Sequence, residues 1–185
     1  MRHQTGDRRP QTKTALVVVS CLMSPVSCLT AEAFPKPKDH PVTAELITEH
    51  ASVQPGGTTR VGVHFDLEEG WHIYAKNPGD AGIPTSVAWT GPNSVSFGPL
   101  QYPKPQEFLD PGDIHTFGYT GAVVLSSTLT AASSASEALP IHAEVKWLAC
   151  KEICVPGSTS LDLTLPVSNT PPTSSAHAEL FEHTD

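Results

Sequence analysis

The chain has 185 residues, among them 18 Pro and 13 Gly, and a formal net charge of −8 at pH 7. That length supports one good hydrophobic core rather than two. The acidic balance argues against nucleic acid or an anionic membrane surface as partner. Helix formers are scarce beside Val, Thr, Ser, Gly and Pro, which favours β structure with many turns.

In chain order, Arg2, Arg8, Arg9 and Lys13 precede an apolar run, ALVVVSCLMSPVSCL (residues 15–29), followed by Ala31-Glu32-Ala33. This is the order of a secretory signal peptide, residues 1–33, with cleavage before Phe34. The run is too short, and too broken by Ser and Pro25, for a comfortable membrane span. Cleavage there discards Cys21 and Cys28 and leaves Cys150 and Cys154 in a compartment where disulfides persist. Either discarded cysteine is a rival lipoprotein acceptor. The apolar stretch before Cys21 is short and Pro25 interrupts the approach to Cys28, so export without a lipid anchor is expected.

Residues 34–41, FPKPKDHP, form a Pro-rich lead-in. From residue 42 the signals are those of strands. In TRVGVHFDL, Val61, Val63, Phe65 and Leu67 alternate with polar residues or Gly, and PGG at 55–57 supplies the preceding turn. Residues 42–54, 70–76, 85–90 and 121–130 read as further strands. PIHAEVKWL alternates Ile141, Ala143, Val145 and Trp147 with polar residues, which places Trp147 in the core. SLDLTLPV alternates Leu161, Leu163, Leu165 and Val167. Gly/Pro punctuation recurs in NPGDAGIP, TGPN, FGPLQYPKP, DPGD and VPGS. No useful helical period appears between residues 42 and 168. Seven or more short strands in that span predict an all-β, antiparallel β-sandwich. Residues 169–185 have the composition of a flexible C-terminal tail.

The chemistry-bearing motif is WLACKEICVPG, with Cys150 and Cys154 four positions apart. A zinc site wants four ligands, and no second knuckle or paired histidines accompany this one. Two thiolates suit Cu(I) better, with His72 or His115 as a further ligand, which makes a copper-handling module an alternative. As a structural staple the pair closes so small a ring that loop entropy contributes roughly 2 kcal/mol, against nearly 5 for a hundred-residue loop. A non-catalytic interaction domain with a structural disulfide therefore stays open as well. A redox pair is the third reading. A ring that adds little stability can open and close without unfolding the domain, and exchange needs a thiolate, an accessible sulfur and a nearby resolving thiol. Lys151 favours a thiolate and Glu152 opposes it. No cofactor is expected.

Three stretches, EEGWHIYAKNPGDAGIPTSVAW (68–89), FGPLQYPKPQEFLDPGDIHTFGYTGAVVL (97–125) and VKWLACKEICVPGSTSLDLTLPV (145–167), together resemble the N-terminal periplasmic domain of the DsbD/ScsB thiol:disulfide interchange proteins. The resemblance covers residues 42–168. It implies an immunoglobulin-like sandwich in the periplasm, relaying reducing equivalents through a Cys150–Cys154 disulfide. The donor would be a membrane-embedded DsbD-like protein or a thioredoxin-like domain, and the acceptors oxidised periplasmic thioredoxin-fold proteins. Carried over, Cys154 is the exchanging sulfur and Cys150 the resolving one. PQEFLDPGD matches the family's cap loop, with Phe108 as capping aromatic and Glu107 and Asp110 beside it. Tyr74 and His72 are expected to wall the site, and Trp71 lies on the same segment. The tighter cysteine ring and the absence of the membrane and thioredoxin-like domains from this sequence depart from the family pattern.

Overall fold

The computed structural model describes residues 40–110 and 112–182. The expected signal peptide and most of the lead-in lie outside the described residues. Ten strands follow in chain order: β1 (Val42–Thr48), β2 (Thr58–Leu67), β3 (His72–Gly79), β4 (Ser86–Thr90), β5 (Val95–Phe97), β6 (Gln106–Asp110), β7 (Ile114–Thr120), β8 (Ala122–Ala131), β9 (Leu139–Cys150) and β10 (Cys154–Leu165). A single 3-10 turn, Ala178–Phe181, closes the described chain. One sheet has the order β1-β2-β8-β5. The other has the order β10-β9-β3-β7-β6, with β4 also paired to β9. Every strand pairing is antiparallel. The chain is an all-β, immunoglobulin-like sandwich.

The period-2 patterns decide which faces meet. Val61, Val63 and Phe65 of β2 pack against Ile141, Ala143, Val145 and Trp147 of β9, and all are buried. The Trp147 ring meets Phe65 edge-on at 5.8 Å and His40 edge-on at 5.4 Å. It also lies on Gly157, where an added Cβ would stand 2.2 Å from the indole. A large side chain fits beside β10 because that strand is locally bare.

Several elements differ from the sequence expectation. VPGS, expected as a turn, lies inside β10. That strand is the sheet's edge, where Pro156 leaves no ladder hydrogen bond unmade. Asn77-Pro78-Gly79 belongs to β3, and the register there slips: Tyr74 faces Gly118, whereas Gly79 faces Thr116. Strands β5, β6 and β7 are additional to the expected set. Each is short or shows weak alternation, and each is specified by its neighbour across the ladder.

The C-terminal segment also departs from a flexible tail. Val53 bridges Val167 and His50 bridges Ser174. Ser175 donates to the Thr48 carbonyl, and the Ala51 N–H to the Thr173 carbonyl at 2.9 Å. Phe181 is fully buried with Ile47 and Val124 on the outer face of the first sheet. Gly62 makes room there, since an added Cβ would meet Val124 at 2.7 Å and Phe181 at 3.1 Å. Arg60 donates to the Phe181 carbonyl at 2.9 Å and lies over its ring. One aromatic residue in a polar stretch is invisible to composition, yet it docks the segment.

Candidate functional site

The site is built on the end of the β9–β10 hairpin. These strands pair residue for residue from Leu139↔Leu165 to Cys150↔Cys154, leaving only Lys151, Glu152 and Ile153 as the connection. The Lys151 N–H donates to the Ile153 carbonyl at 3.0 Å and closes the turn. Directly opposed residues point to the same face of a sheet. The register therefore brings the two sulfurs together, and they form a disulfide with an S–S distance of 2.03 Å.

The same parity fixes the face. Trp147 and Ala149 point into the core, so Cys150 and Cys154 stand on the outer face of the second sheet. The two sulfur-bearing residues differ in access. Cys150, flanked by β3, is only 3% exposed. Cys154, on the edge strand, is exposed.

His72 is the register partner of Cys150 on β3, and Thr120 faces it from β7. Its imidazole is buried, stacked on Phe108 with ring centroids 4.7 Å apart and meeting Tyr74 edge-on at 5.1 Å. Phe108, half-buried on β6, thus lies over the residue next to the disulfide. Tyr74 is two residues further along β3 and is buried beneath Gly82, where an added Cβ would fall 2.4 Å from the ring. Gly82 has a φ of +105°, open to glycine at little cost. Its loop is held by the Thr85 N–H, which donates to the Tyr74 carbonyl at 3.2 Å, and by the Tyr102 hydroxyl, which donates to the Thr85 carbonyl at 2.8 Å. Of the two expected wall residues, His72 stands nearer the disulfide along the ladder.

Glu107 does not share that face. As Phe108's neighbour on β6 it points the other way, and its carboxylate lies 2.7 Å from His115 Nδ1. Asp110 ends β6. Trp71 packs partly buried against the core. Lys151 bends back to the β2–β3 turn, where its ammonium donates to the Glu69 carbonyl at 3.2 Å and its stem covers Gly70. Its charge is therefore drawn toward a main-chain oxygen as well as being close in sequence to the sulfurs.

Among the described residues no group of three or more His, Cys, Asp or Glu side chains is arranged to hold a metal ion. His115, one copper ligand considered above, projects from the β7 face opposite to Thr116, Gly118 and Thr120, and hence away from the side of the ladder that carries His72. No described helix is long and apolar enough to cross a membrane.

An immunoglobulin-like sandwich with a disulfide across a three-residue turn, and an aromatic from a neighbouring hairpin stacked on the histidine paired with one of its cysteines, fits a thiol–disulfide exchange domain. Residues 39–166 match the family described as "Thiol:disulfide interchange protein DsbD, N-terminal". The chain belongs to that family. Its fold is similar to the N-terminal periplasmic domain of ScsB from Proteus mirabilis, with 24% identity and a TM-score of 0.54 over 82% of this chain and 54% of that one. It thus spans about half the length of that ScsB structure. The reduced DsbD N-terminal domain of Neisseria meningitidis aligns at 16% identity with a TM-score of 0.38, over 70% of this chain and 89% of that one. The complex of the Neisseria meningitidis DsbD and PilB N-terminal domains aligns at 17% identity with a TM-score of 0.38, over 63% of this chain and 80% of that one. No curated protein sequence matches the chain significantly.

Proposed function

We propose that this chain is a periplasmic electron relay in which the Cys150–Cys154 disulfide exchanges with thioredoxin-fold proteins. The observation that carries the reading is the unequal exposure of the two cysteines. Cys154 is exposed on an edge strand and Cys150 is 3% exposed behind it. An outside thiolate can therefore approach Cys154 while Cys150 stays within bonding reach as the resolving group.

The cycle balances in two half-reactions. A donor dithiol, from a membrane-embedded DsbD-like protein or a thioredoxin-like domain, attacks Cys154 Sγ through its thiolate. Cys150 leaves as a thiolate and takes up a proton. The donor's second thiolate then attacks the mixed disulfide, freeing Cys154 and oxidising the donor. In the second half-reaction Cys154 thiolate attacks a disulfide of an oxidised periplasmic thioredoxin-fold protein. Cys150 thiolate resolves the mixed disulfide, restoring the Cys150–Cys154 bond and releasing the acceptor as a dithiol. Two electrons pass from donor to acceptor. Phe108 restricts access to partners able to displace it, as its place over His72 suggests.

The test is a pair of single variants in the mature protein, mixed with an oxidised thioredoxin-fold protein. Cys150→Ser should accumulate an intermolecular disulfide through Cys154, visible on a non-reducing gel. Cys154→Ser should accumulate none and reduce nothing. A Cys154→Ser variant that still reduced its partner would overturn the relay.

A further inference from the structure

Among the described residues, the large apolar side chains open to solvent are Ile83, Leu109, Ile114 and Ile153. Ile153 is the most exposed, at 66%, and it stands inside the ring closed by the disulfide, immediately before Cys154. Its neighbours do not shelter it. Lys151 is turned back onto Gly70 and the Glu69 carbonyl, and Glu152 is exposed. One other exposed apolar side chain, Ile83, is on the loop folded over Tyr74; Leu109 shares the opposite face of β6 with Glu107.

The three-residue connection has no need of an apolar side chain at that position. The turn is closed by a backbone hydrogen bond and by the flanking ladder. Geometry gives Ile153 another use. An S–S bond is about 2.05 Å long, so any protein joined to Cys154 must lie against the residues that adjoin it. Buried apolar surface at the centre of a contact is where binding energy concentrates.

From this geometry we infer that Ile153 is the docking anchor of the exchange site, received by an apolar collar around the exchanging cysteine of a thioredoxin-fold partner. The inference rests on the relay reading and adds the residue that selects the partner. Ile153 takes no part in the bond changes. It holds the partner's sulfur in line with the Cys154–Cys150 bond, and it discriminates against protein thiols whose surroundings are charged. A small dithiol has no collar and is indifferent to it.

The experiment compares how fast the Cys150–Cys154 disulfide is reduced by dithiothreitol and by reduced thioredoxin, in the wild-type chain, Ile153→Ser and Ile153→Leu. The expected result is at least a tenfold loss of the thioredoxin rate constant in Ile153→Ser, recovery to within about threefold in Ile153→Leu, and dithiothreitol rates within about twofold throughout. Equal thioredoxin rates for wild type and Ile153→Ser would overturn the anchor and leave the relay standing. Equal losses toward both reductants would also overturn it, because the residue would then be acting on the disulfide itself. A wild-type disulfide open to dithiothreitol but inert to thioredoxin would overturn the relay and the anchor together.

Discussion

His72 and Cys150 face each other across β3 and β9, and the Phe108 ring stacks on the imidazole at 4.7 Å. Phe108 thus packs on the residue that the ladder pairs with Cys150. A β-ladder positions such a residue more rigidly than a loop would.

Under the proposed shielding role, Phe108→Ala uncovers the disulfide. Reduction of the disulfide by dithiothreitol should then accelerate by about threefold or more, as expected when a sulfur loses an apolar shield. Because Phe108 is only half-buried, the loss of stability should stay at about 1–2 kcal/mol, below the 3–5 of a fully buried phenylalanine. Stopped-flow reduction and thermal unfolding measure the two effects. An unchanged reduction rate would refute the shielding role.

Opening the disulfide should leave the domain folded. The ring is small enough that its loop entropy is worth about 2 kcal/mol, and the β9–β10 ladder holds the hairpin independently. Reduced protein should therefore melt about 4–8 °C below the oxidised form with the same far-ultraviolet dichroism. Its reduction potential, set by equilibration in glutathione buffers, should lie above the roughly −300 mV limit of structural disulfides. A lower value would make the bond a staple.

Gly157→Ala should destabilise the sandwich by about 1–3 kcal/mol, the usual cost of overpacking. Its Cβ would come within 2.2 Å of the Trp147 indole, wedged between β2 and β10. Urea unfolding followed by tryptophan fluorescence reports both the loss and the ring's displacement. A stability equal to wild type would show that the indole yields freely.

Phe181→Ala should cost about 3–5 kcal/mol while leaving the dithiothreitol rate at the disulfide unchanged. Phe181 is fully buried on the first sheet, whereas the cysteines stand on the second. Equilibrium unfolding measures the first effect. A loss of less than about 1 kcal/mol would show that the segment contributes little to the fold.

The same corner carries an acid-sensitive pair. Arg60 donates to Glu49 at 2.9 and 3.1 Å, and that hydrogen bonding holds the Glu49 carboxyl below its ordinary value of 4.5, against the opposing effect of burial. A folded-state value below the unfolded one means the contribution is complete above about pH 4.5 and is lost as pH falls through the folded value. Glu49→Gln should therefore be less stable than wild type at pH 6, with the gap narrowing as the pH is lowered below about 4.5. Urea midpoints across a pH series from 6 downward check the sign. A gap that widened toward low pH would contradict it.

The alternation of Val61, Val63 and Phe65 and that of Ile141, Ala143, Val145 and Trp147 were legible because a half-buried strand must repeat every two residues. They placed the long strands, the sandwich class and the core tryptophan. The cysteine pair was legible as chemistry but not as a disposition. Spacing alone left copper, staple and exchange open, and the family resemblance supplied the roles.

Tertiary structure decided what depends on contacts distant in sequence. The pairing of β9 with β3 puts His72 beside Cys150, which is buried, while Cys154 is exposed on β10, the edge strand among the described residues. The alternation of β6 turns Phe108 toward His72 and Glu107 toward His115. Phe181 docks because Gly62 leaves it space and Arg60 holds its carbonyl more than a hundred residues away. Local periodicity records which residues seek a core. Only the ladder register brings separate strands together and so determines which cysteine is buried and which is exposed.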